Sequence, residues 1–272
     1  MSYAVMPLNE WQKIVNSVRA KTGKMEPLLS TQVAAEIDSI TVQSEERSIF
    51  GDYVQGTIYE ITAEDLIGVT SISPYAFSYH SITSIELPDS VTSIGSNAFA
   101  RTKLTSIEIP DTVTAIATSA FQACERLTFV KLSKNITHLD GYVFADCASL
   151  TSIDISNIIS AGNGSFNSSG LTHIIVPGTM NTIPHYFCQN CKSLTSVRLE
   201  NGVAKINDGS FRNCTALMEI VCLSTNPPSI YHNCFDNVPA DCVIKVPAAA
   251  VEAYKAATNW SVRADYIIAY EE

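Results

Sequence analysis

The sequence predicts an α+β repeat fold: a right-handed solenoid of about 22–23-residue units, with a helical module before it and a helical cap after it. The first observation is an Ala-Phe or Ser-Phe step that recurs along the chain. Alignment on the aromatic residue gives spacings of 22, 22, 23, 22, 21 and 24 residues, at Phe77, Phe99, Phe121, Phe144, Phe166, Phe187 and Phe211. Such a period is typical of a solenoid, in which each repeat buries its apolar face against its neighbours.

The second observation is the placement of apolar residues within a unit. Ile107 and Ile109 lie two residues apart and therefore share one face of a strand, whereas Ser106 and Glu108 point the other way. The same Leu-x-x-Ile-x-Leu/Ile pattern, a leucine-rich-repeat signature, predicts seven parallel rungs. They are Ile82/Ile85/Leu87, Leu104/Ile107/Ile109, Leu127/Val130/Leu132, Leu150/Ile153/Ile155, Leu171/Ile174/Val176, Leu194/Val197/Leu199 and Leu217/Ile220/Cys222.

A second apolar pair in most units predicts an opposite wall. These pairs are Val91/Ile94, Val113/Ile116, Ile136/Leu139, Met180/Ile183 and Val203/Ile206. The repeated Phe follows each pair, so we expect it to fill the middle of the coil.

Residues 1–50 lack the repeat and are predicted to form a separate helical module and linker. Leu8, Trp11 and Val15 fall on one helical stripe, and Gly23 can end that helix. Ser30 can cap a second helix. The module is either an end cap for the solenoid or an element for assembly and self-association through residues 1–40. The start of the chain does not have the pattern of a secretory signal.

Residues 51–272 are predicted to form the solenoid, closed by a cap over about 243–272. Cys234 and Phe235 belong to a degraded eighth unit, and Val243–Pro247 is predicted as a closing strand. Ala248–Thr258 consists of strong helix formers and predicts a helix that covers the last rung.

Composition excludes several classes of protein. The chain is 46% hydrophobic and 16% charged, too apolar for a disordered protein, and it has no apolar run of about 18 residues for membrane insertion. Its 27 acidic residues exceed its 17 Lys and Arg, which argues against nucleic acid as a partner. A protein or carbohydrate ligand is favoured.

The units Val91–Thr112 and Ile136–Ser156, with the ending Val246–Trp260, resemble the BspA-type leucine-rich-repeat proteins of bacteria. The resemblance covers about residues 72–268. It implies a non-enzymatic binding or adhesion protein that acts at a bacterial or host surface. Glu10–Ile37 is also similar to a short module of phage tail and prophage structural proteins. That similarity implies an alternative, a tail-associated structural or receptor-binding protein attached through its N-terminal helices.

The reactive side chains do not predict a catalytic, metal or cofactor site. Cys124, Cys147, Cys191 and Cys214 recur three or four residues after the Phe, as expected for small buried thiols in a ladder. Cys188 and Cys191 match C-x-x-C but lack a second pair at zinc-ribbon spacing. The five histidines occur in different units and show no ligand or triad spacing.

The outward side of the rungs is the predicted ligand-binding face. Its two columns are Ser84, Ser106, Phe129, Ser152, His173, Ser196 and Glu219, and Glu86, Glu108, Lys131, Asp154, Ile175, Arg198 and Val221, so most positions are Ser or acidic residues. The irregular members Phe129, Lys131, His173, Ile175 and Arg198 cluster in the middle rungs, and aromatic and Arg side chains commonly anchor contacts. The sequence does not identify the ligand, and an open sheet face also tolerates such residues without binding anything.

Overall fold

The computed structural model describes residues 60–271, which form a β-solenoid of short parallel strands. The helices and linker predicted in residues 1–50 lie outside the described residues. No helix within the described part of the chain is long and apolar enough to cross a bilayer.

The first wall of the solenoid contains the predicted rungs. Its strands are β1 (Glu60–Ile61), β3 (Ser84–Ile85), β5 (Ser106–Glu108), β7 (Phe129–Lys131), β10 (His173–Val176), β12 (Ser196–Leu199), β14 (Glu219–Cys222), β16 (Val243–Val246) and β17 (Ile267–Ala269). Every pairing between them is parallel, and the alternation places Ile107, Val130 and Val197 in the core. The predicted closing strand begins at Val243 as predicted and ends at Val246, one residue before the predicted end at Pro247.

The prediction of a strand at the fourth rung is wrong. Residues 151–155 form none, and the wall is therefore interrupted between β7 and β10. Leu150 and Ile155 are buried as predicted, but Ile153 is only partly buried. The Asp154 carboxylate accepts a hydrogen bond from the backbone amide of Ser156 at 2.9 Å. This local turn competes with strand pairing.

The second wall contains the five predicted apolar pairs and three further strands, at Ser71–Ile72, Ser160–Ala161 and Ser229–Ile230. Its strands are β2 (Ser71–Ile72), β4 (Ser93–Ile94), β6 (Ala115–Ile116), β8 (His138–Leu139), β9 (Ser160–Ala161), β11 (Thr182–Ile183), β13 (Lys205–Ile206) and β15 (Ser229–Ile230). Each ends on a residue that points into the core, and Ile94, Leu139 and Ile206 are almost fully buried. A strand of two residues suffices because its pairing partners are the neighbouring coils.

The repeated phenylalanines form a ladder between the two walls. Phe77, Phe99, Phe121, Phe144 and Phe166 stack with ring centroids 5.1 to 5.9 Å apart and interplanar angles of 7 to 9°. Further along, Phe211 stacks on Phe235 at 5.9 Å. The prediction that the Phe fills the coil is confirmed, because the rings from Phe99 to Phe166 are fully buried.

The alignment of Phe187 with this ladder is wrong by one residue. The amides of Phe77 and Phe99 donate to Ala98 and Ala120, the residues directly before the next ladder Phe. Phe166 donates instead to the carbonyl of Phe187 at 2.9 Å. Cys188 therefore occupies the ladder position, and Phe187 the position of the small residue. The Phe187 ring is still fully buried, and it meets Phe166 edge-on at 5.2 Å and 88°.

The turn around each ladder residue from Phe77 to Phe211 has two left-handed positions, two residues before it and two residues after it. Asn97 and Arg101 flank Phe99 with φ of 56° and 61°, and Tyr186 and Asn190 flank Cys188 with φ of 60° and 62°. This agreement is independent support for Cys188 as the ladder residue. Asn is among the side chains that tolerate this conformation. The side chains of Asn190, Asn213 and Asn237 also form a ladder with N–O distances of 2.7 Å.

The chain after β16 packs on the last coil. A 3-10 helix (Ala248–Ala250) leads into α1 (Val251–Ala256), so the α-helix is shorter than the predicted Ala248–Thr258. Tyr254 and Trp260 are buried, and Trp260 donates to the Pro228 carbonyl at 2.8 Å. After a second 3-10 helix (Ser261–Tyr266), β17 pairs with β16 and adds one more strand to the first wall.

Candidate binding surfaces

The first candidate surface is the predicted face on the first wall, here called the strand face and defined by Phe129, Lys131, His173, Ile175 and Arg198. Adjacent strands bring His173, Ile175 and Arg198 together, because Ile175 pairs with Arg198 across β10 and β12. Phe129 and Lys131 on β7 lie on the far side of the rung that forms no strand. The five residues are therefore divided into two groups.

Phe129 and Ile175 are the exposed apolar residues of the strand face, at 50% and 53% exposure. Its two cations are already paired. Lys131 contacts Glu108 at 2.9 Å, and this hydrogen bond raises the pKa of Lys131. Arg198 contacts Glu200 at 2.6 Å and donates to the Tyr270 hydroxyl at 3.3 Å.

Val221 lies in the same outward column as Arg198, as predicted, but its neighbours cover it. Val221 is only 6% exposed. In the register of the sheet it lies between Arg198 and Lys245, and the ring of Tyr270 lies within 5.8 Å of the Arg198 guanidinium. These long side chains make the end of the strand face closed and polar.

Four of the thiols, those of Cys124, Cys147, Cys191 and Cys214, form a buried column. All eight cysteines are free and buried. The residue three after the ladder position donates to the ladder carbonyl of the preceding coil, as Cys124 does to Phe99 at 3.1 Å and Cys214 to Cys188 at 3.1 Å. Burial raises the pKa of Cys124 to about 11. A buried, protonated thiol is a poor nucleophile, so the column has a structural role.

The C-x-x-C pair belongs to the same arrangement, since Cys188 is the ladder residue and Cys191 the residue three after it. Burial raises the pKa of Cys188 well above its ordinary value. In the described part of the chain, no three His, Cys, Asp or Glu side chains come together as metal ligands.

A second candidate surface lies where the second wall turns into the ladder. We call it the Tyr/His edge and define it by Tyr142, His185, Tyr186 and Tyr231. The His185 ring lies 6.0 Å from Tyr186 and 6.2 Å from Tyr231. Tyr142 and Tyr231 are 39% and 44% exposed. The edge therefore presents a row of partly exposed rings that crosses several coils.

Glycine in the intervening coils makes room for two of these rings. Tyr142 and Tyr186 each occupy the left-handed position before the ladder, and in the next coils that position is Gly164 and Gly209. A Cβ at Gly164 would lie 2.5 Å from the Tyr142 ring, and a Cβ at Gly209 would lie 2.8 Å from the Tyr186 ring. Each ring thus lies directly against the backbone of the following coil.

Polar side chains surround these rings. The Lys205 ammonium lies 5.6 Å from the Tyr231 ring centre. Arg212 contacts Asp208 at 3.2 Å, and the hydrogen bond between Asp208 and Tyr186 raises the pKa of the tyrosine hydroxyl. Nearer Tyr142, His138 contacts Asp140 at 3.1 Å and Ser160 at 2.7 Å.

Sequence reasoning missed the Tyr/His edge because it read the histidines one at a time. A signal was present: Tyr, Gly, Tyr and Gly follow one another at residues 142, 164, 186 and 209, one coil apart. This column is visible only when Cys188, rather than Phe187, is aligned with the phenylalanines. The misalignment by one residue hid it.

Comparison with known proteins agrees with the repeat. The model of the BspA type leucine rich repeat region matches residues 70–195 and 181–256 in six copies. No curated protein matches the chain.

Three solved structures are similar to the chain. A leucine-rich repeat protein from Bacteroides ovatus is 22% identical over 74% of this chain and 57% of its own, with a TM-score of 0.47. A leucine rich repeat protein from T. pallidum is 24% identical over 56% of this chain and 78% of its own, with a TM-score of 0.47. A leucine rich cell surface protein from Faecalibacterium prausnitzii is 24% identical over 82% of this chain and 62% of its own, with a TM-score of 0.43.

The chain thus spans less than two thirds of the length of the first and third of these proteins. The family model, in contrast, covers well over half of the chain. The chain belongs to the BspA-type leucine-rich-repeat family.

Proposed function

We propose that this chain is a non-enzymatic binding protein that recognises a protein or a glycan at a bacterial or host surface through its solenoid. The observation that carries the proposal is a regular scaffold that leaves Phe129 and Ile175 half exposed on the strand face. Apolar side chains at such positions do not belong to the core of the solenoid. They offer apolar surface area that a partner can bury.

Binding of the purified chain to immobilised fibronectin, fibrinogen and mucin tests this proposal. We expect the Phe129→Ala/Ile175→Ala variant to bind at least about tenfold more weakly, since a few central apolar anchors carry most of the affinity of an interface. Ile268→Ala is the matched control, because Ile268 is 45% exposed in the same outward column as Ile175 but lies at the end of the sheet. Undiminished binding by the double variant would contradict a role for the strand face.

The chain after β16 has a proposed role as the cap of the solenoid. The buried Trp260 ring lies 5.7 Å from Phe235, the last residue of the ladder, and Asn259 donates to the Ile230 carbonyl at 2.7 Å. These contacts cover the core of the last coil, which would otherwise face solvent.

The alternative function is a phage or prophage tail-associated protein attached through its N-terminal residues. It is favoured by the similarity of Glu10–Ile37 to a module of tail proteins. This alternative is tested with a fusion of residues 1–50 to a monomeric carrier protein, whose oligomeric state is measured by light scattering. A fusion that assembles would support the attachment role, and a fusion that stays monomeric and binds no tail component would contradict it.

A further inference from the structure

We propose that the Tyr/His edge is a carbohydrate-binding site that takes an uncharged linear polysaccharide along the solenoid axis. The inference rests on the proposed function, because it assumes that the chain recognises a ligand. It goes further by naming the ligand class and by placing the site on the edge of the second wall rather than on the strand face.

The spacing of the tyrosines suits a linear chain of sugars. Tyr142 and Tyr186 occupy the same position of alternate coils, because one further ladder residue lies between their own. Tyr231 belongs to the next alternate coil, two residues earlier in its unit. Neighbouring strands are ~4.8 Å apart, so alternate coils repeat every ~10 Å. A solenoid repeats along one axis, as a polysaccharide does. The rings can therefore contact every second sugar of one extended strand.

The tyrosine rings are held as platforms. Tyr142 and Tyr186 lie against Gly164 and Gly209, so one side of each ring is supported by backbone. Tyr142 nevertheless keeps 39% of its surface exposed. A supported ring loses little conformational freedom when a ligand stacks on it, which favours binding. The apolar C–H face of a pyranose ring is the surface that stacks on an aromatic ring, while its hydroxyls point to the sides.

The polar groups of the edge match those hydroxyls. Asp208 keeps acceptor capacity beyond its bonds to Arg212 and Tyr186, because a carboxylate has about four acceptor sites. His185 offers ring nitrogens beside Tyr186 and Tyr231, and Lys205 offers donors over the Tyr231 ring. Hydroxyl groups both donate and accept, so a mixture of donors and acceptors serves them better than charges of one sign.

The charge of the edge argues for an uncharged ligand. Lys205 and Arg212 are balanced there by Asp140 and Asp208, although the whole chain has a net charge of −10. Every ring of the edge also has a polar atom, whereas Phe129 and Ile175 on the strand face are purely apolar. A neutral ligand with both C–H faces and hydroxyls fits the edge better than the apolar surface of a protein.

Retention of the full chain on insoluble cellulose, chitin, β-1,3-glucan and mannan tests the proposal, with affinity then measured by calorimetry on the matching oligosaccharide. We expect Tyr142→Ala/Tyr186→Ala to weaken binding at least about tenfold, and Tyr142→Phe to keep it, because the ring and not the hydroxyl stacks. Tyr75→Ala is the matched control. Tyr75 occupies the same left-handed position of its coil and is 45% exposed, but it lies three coils before Tyr142. Circular dichroism shows that each variant is folded.

The outcomes separate this proposal from the proposed function. Loss of polysaccharide binding in the Tyr142/Tyr186 variant, with binding kept in the Phe129/Ile175 variant, supports the Tyr/His edge. The reverse pattern overturns the proposal that the Tyr/His edge binds polysaccharide and leaves the strand face as the binding surface. Retention on none of the four polysaccharides overturns the carbohydrate proposal, whereas the immobilised proteins still decide the proposed function.

Discussion

The amide of Phe166 donates to the carbonyl of Phe187 at 2.9 Å, and this bond places Cys188, not Phe187, beside Phe166 in the ladder. In this one coil the large and the small residue have exchanged places. The Phe187 ring enters from the small-residue position and packs edge-on against Phe166 at 5.2 Å. The small thiol of Cys188 leaves the volume that this ring needs. The two substitutions therefore compensate each other.

This compensation predicts strong coupling between the two positions. Phe187→Ala leaves a cavity and Cys188→Phe overpacks the coil, so we expect about 3–5 and about 1–3 kcal/mol of destabilisation. Phe187→Ala/Cys188→Phe restores the arrangement of the other coils and should be more stable than the sum by about 1–3 kcal/mol. Urea denaturation of the wild type, the two single variants and the double variant measures this coupling energy. Additive effects would show that the two positions do not share one volume.

The phenylalanine ladder predicts a large effect in the middle of the array. Phe144 is fully buried between Phe121 and Phe166, so Phe144→Ala should lower the free energy of unfolding by about 3–5 kcal/mol. Phe129→Ala is the control, because Phe129 is half exposed and should cost less than about 1 kcal/mol. If urea denaturation gives equal losses for the two variants, the rings do not form the core of the coil.

The asparagine ladder predicts two separable contributions. Asn213 has φ of 63° and bonds both Asn190 and Asn237. Asn213→Gly removes both hydrogen bonds, but glycine adopts the left-handed conformation without strain. Asn213→Ala removes the same hydrogen bonds and also strains the backbone, which costs about 1–2 kcal/mol. Thermal denaturation should therefore rank the wild type above the Gly variant and the Gly variant above the Ala variant. An Ala variant as stable as the Gly variant would exclude the backbone contribution.

The buried thiols predict a loss of stability in alkali. Burial raises the pKa of Cys124 to about 11 and that of Cys222 to about 12, from 9.0. Above pH 9 the unfolded chain releases these protons and the folded chain keeps them, so the free energy of unfolding falls as pH rises. Each thiol contributes roughly 1.4 kcal/mol per pH unit until its folded pKa is reached.

Urea denaturation at pH 7 to 10.5 measures how steeply the free energy of unfolding falls with pH. Above pH 9, Cys124→Ala should make this slope shallower by the contribution of one thiol. A slope that is the same in this variant would show that the Cys124 thiol is not protected. Thiol titration of the urea-unfolded chain without reductant should find all eight cysteines reactive, and the folded chain should react slowly.

Removal of residues 1–47 tests whether the N-terminal module works separately from the solenoid. A chain that begins near Ser48 is expected to fold, since repeat stability is roughly a sum of local contributions. It should keep any binding through the strand face or the Tyr/His edge and lose only assembly contacts of residues 1–40. An insoluble chain without β-type circular dichroism would show instead that these residues are an obligate cap.

The sequence alone determined the repeat, the apolar side of each strand and the start of the closing strand at Val243. Period and alternation are sufficient for these features because the chain meets a copy of itself at every coil. Ile107, Leu139 and Phe144 could each be assigned to the core from their place in the unit, and all three are buried.

Only the tertiary structure decided the features that depend on pairs of coils. The exchange of Phe187 and Cys188 leaves the composition of the unit unchanged, and it is revealed by the hydrogen bonds between coils and by the positions of the left-handed residues. The missing strand at residues 151–155 reflects competition between a local turn and strand pairing, and β17 lies beside β16 because the end of the chain folds back onto the last coil. The Tyr/His edge arises in the same way, because the Tyr142 ring occupies space that belongs to Gly164, one coil further along the solenoid.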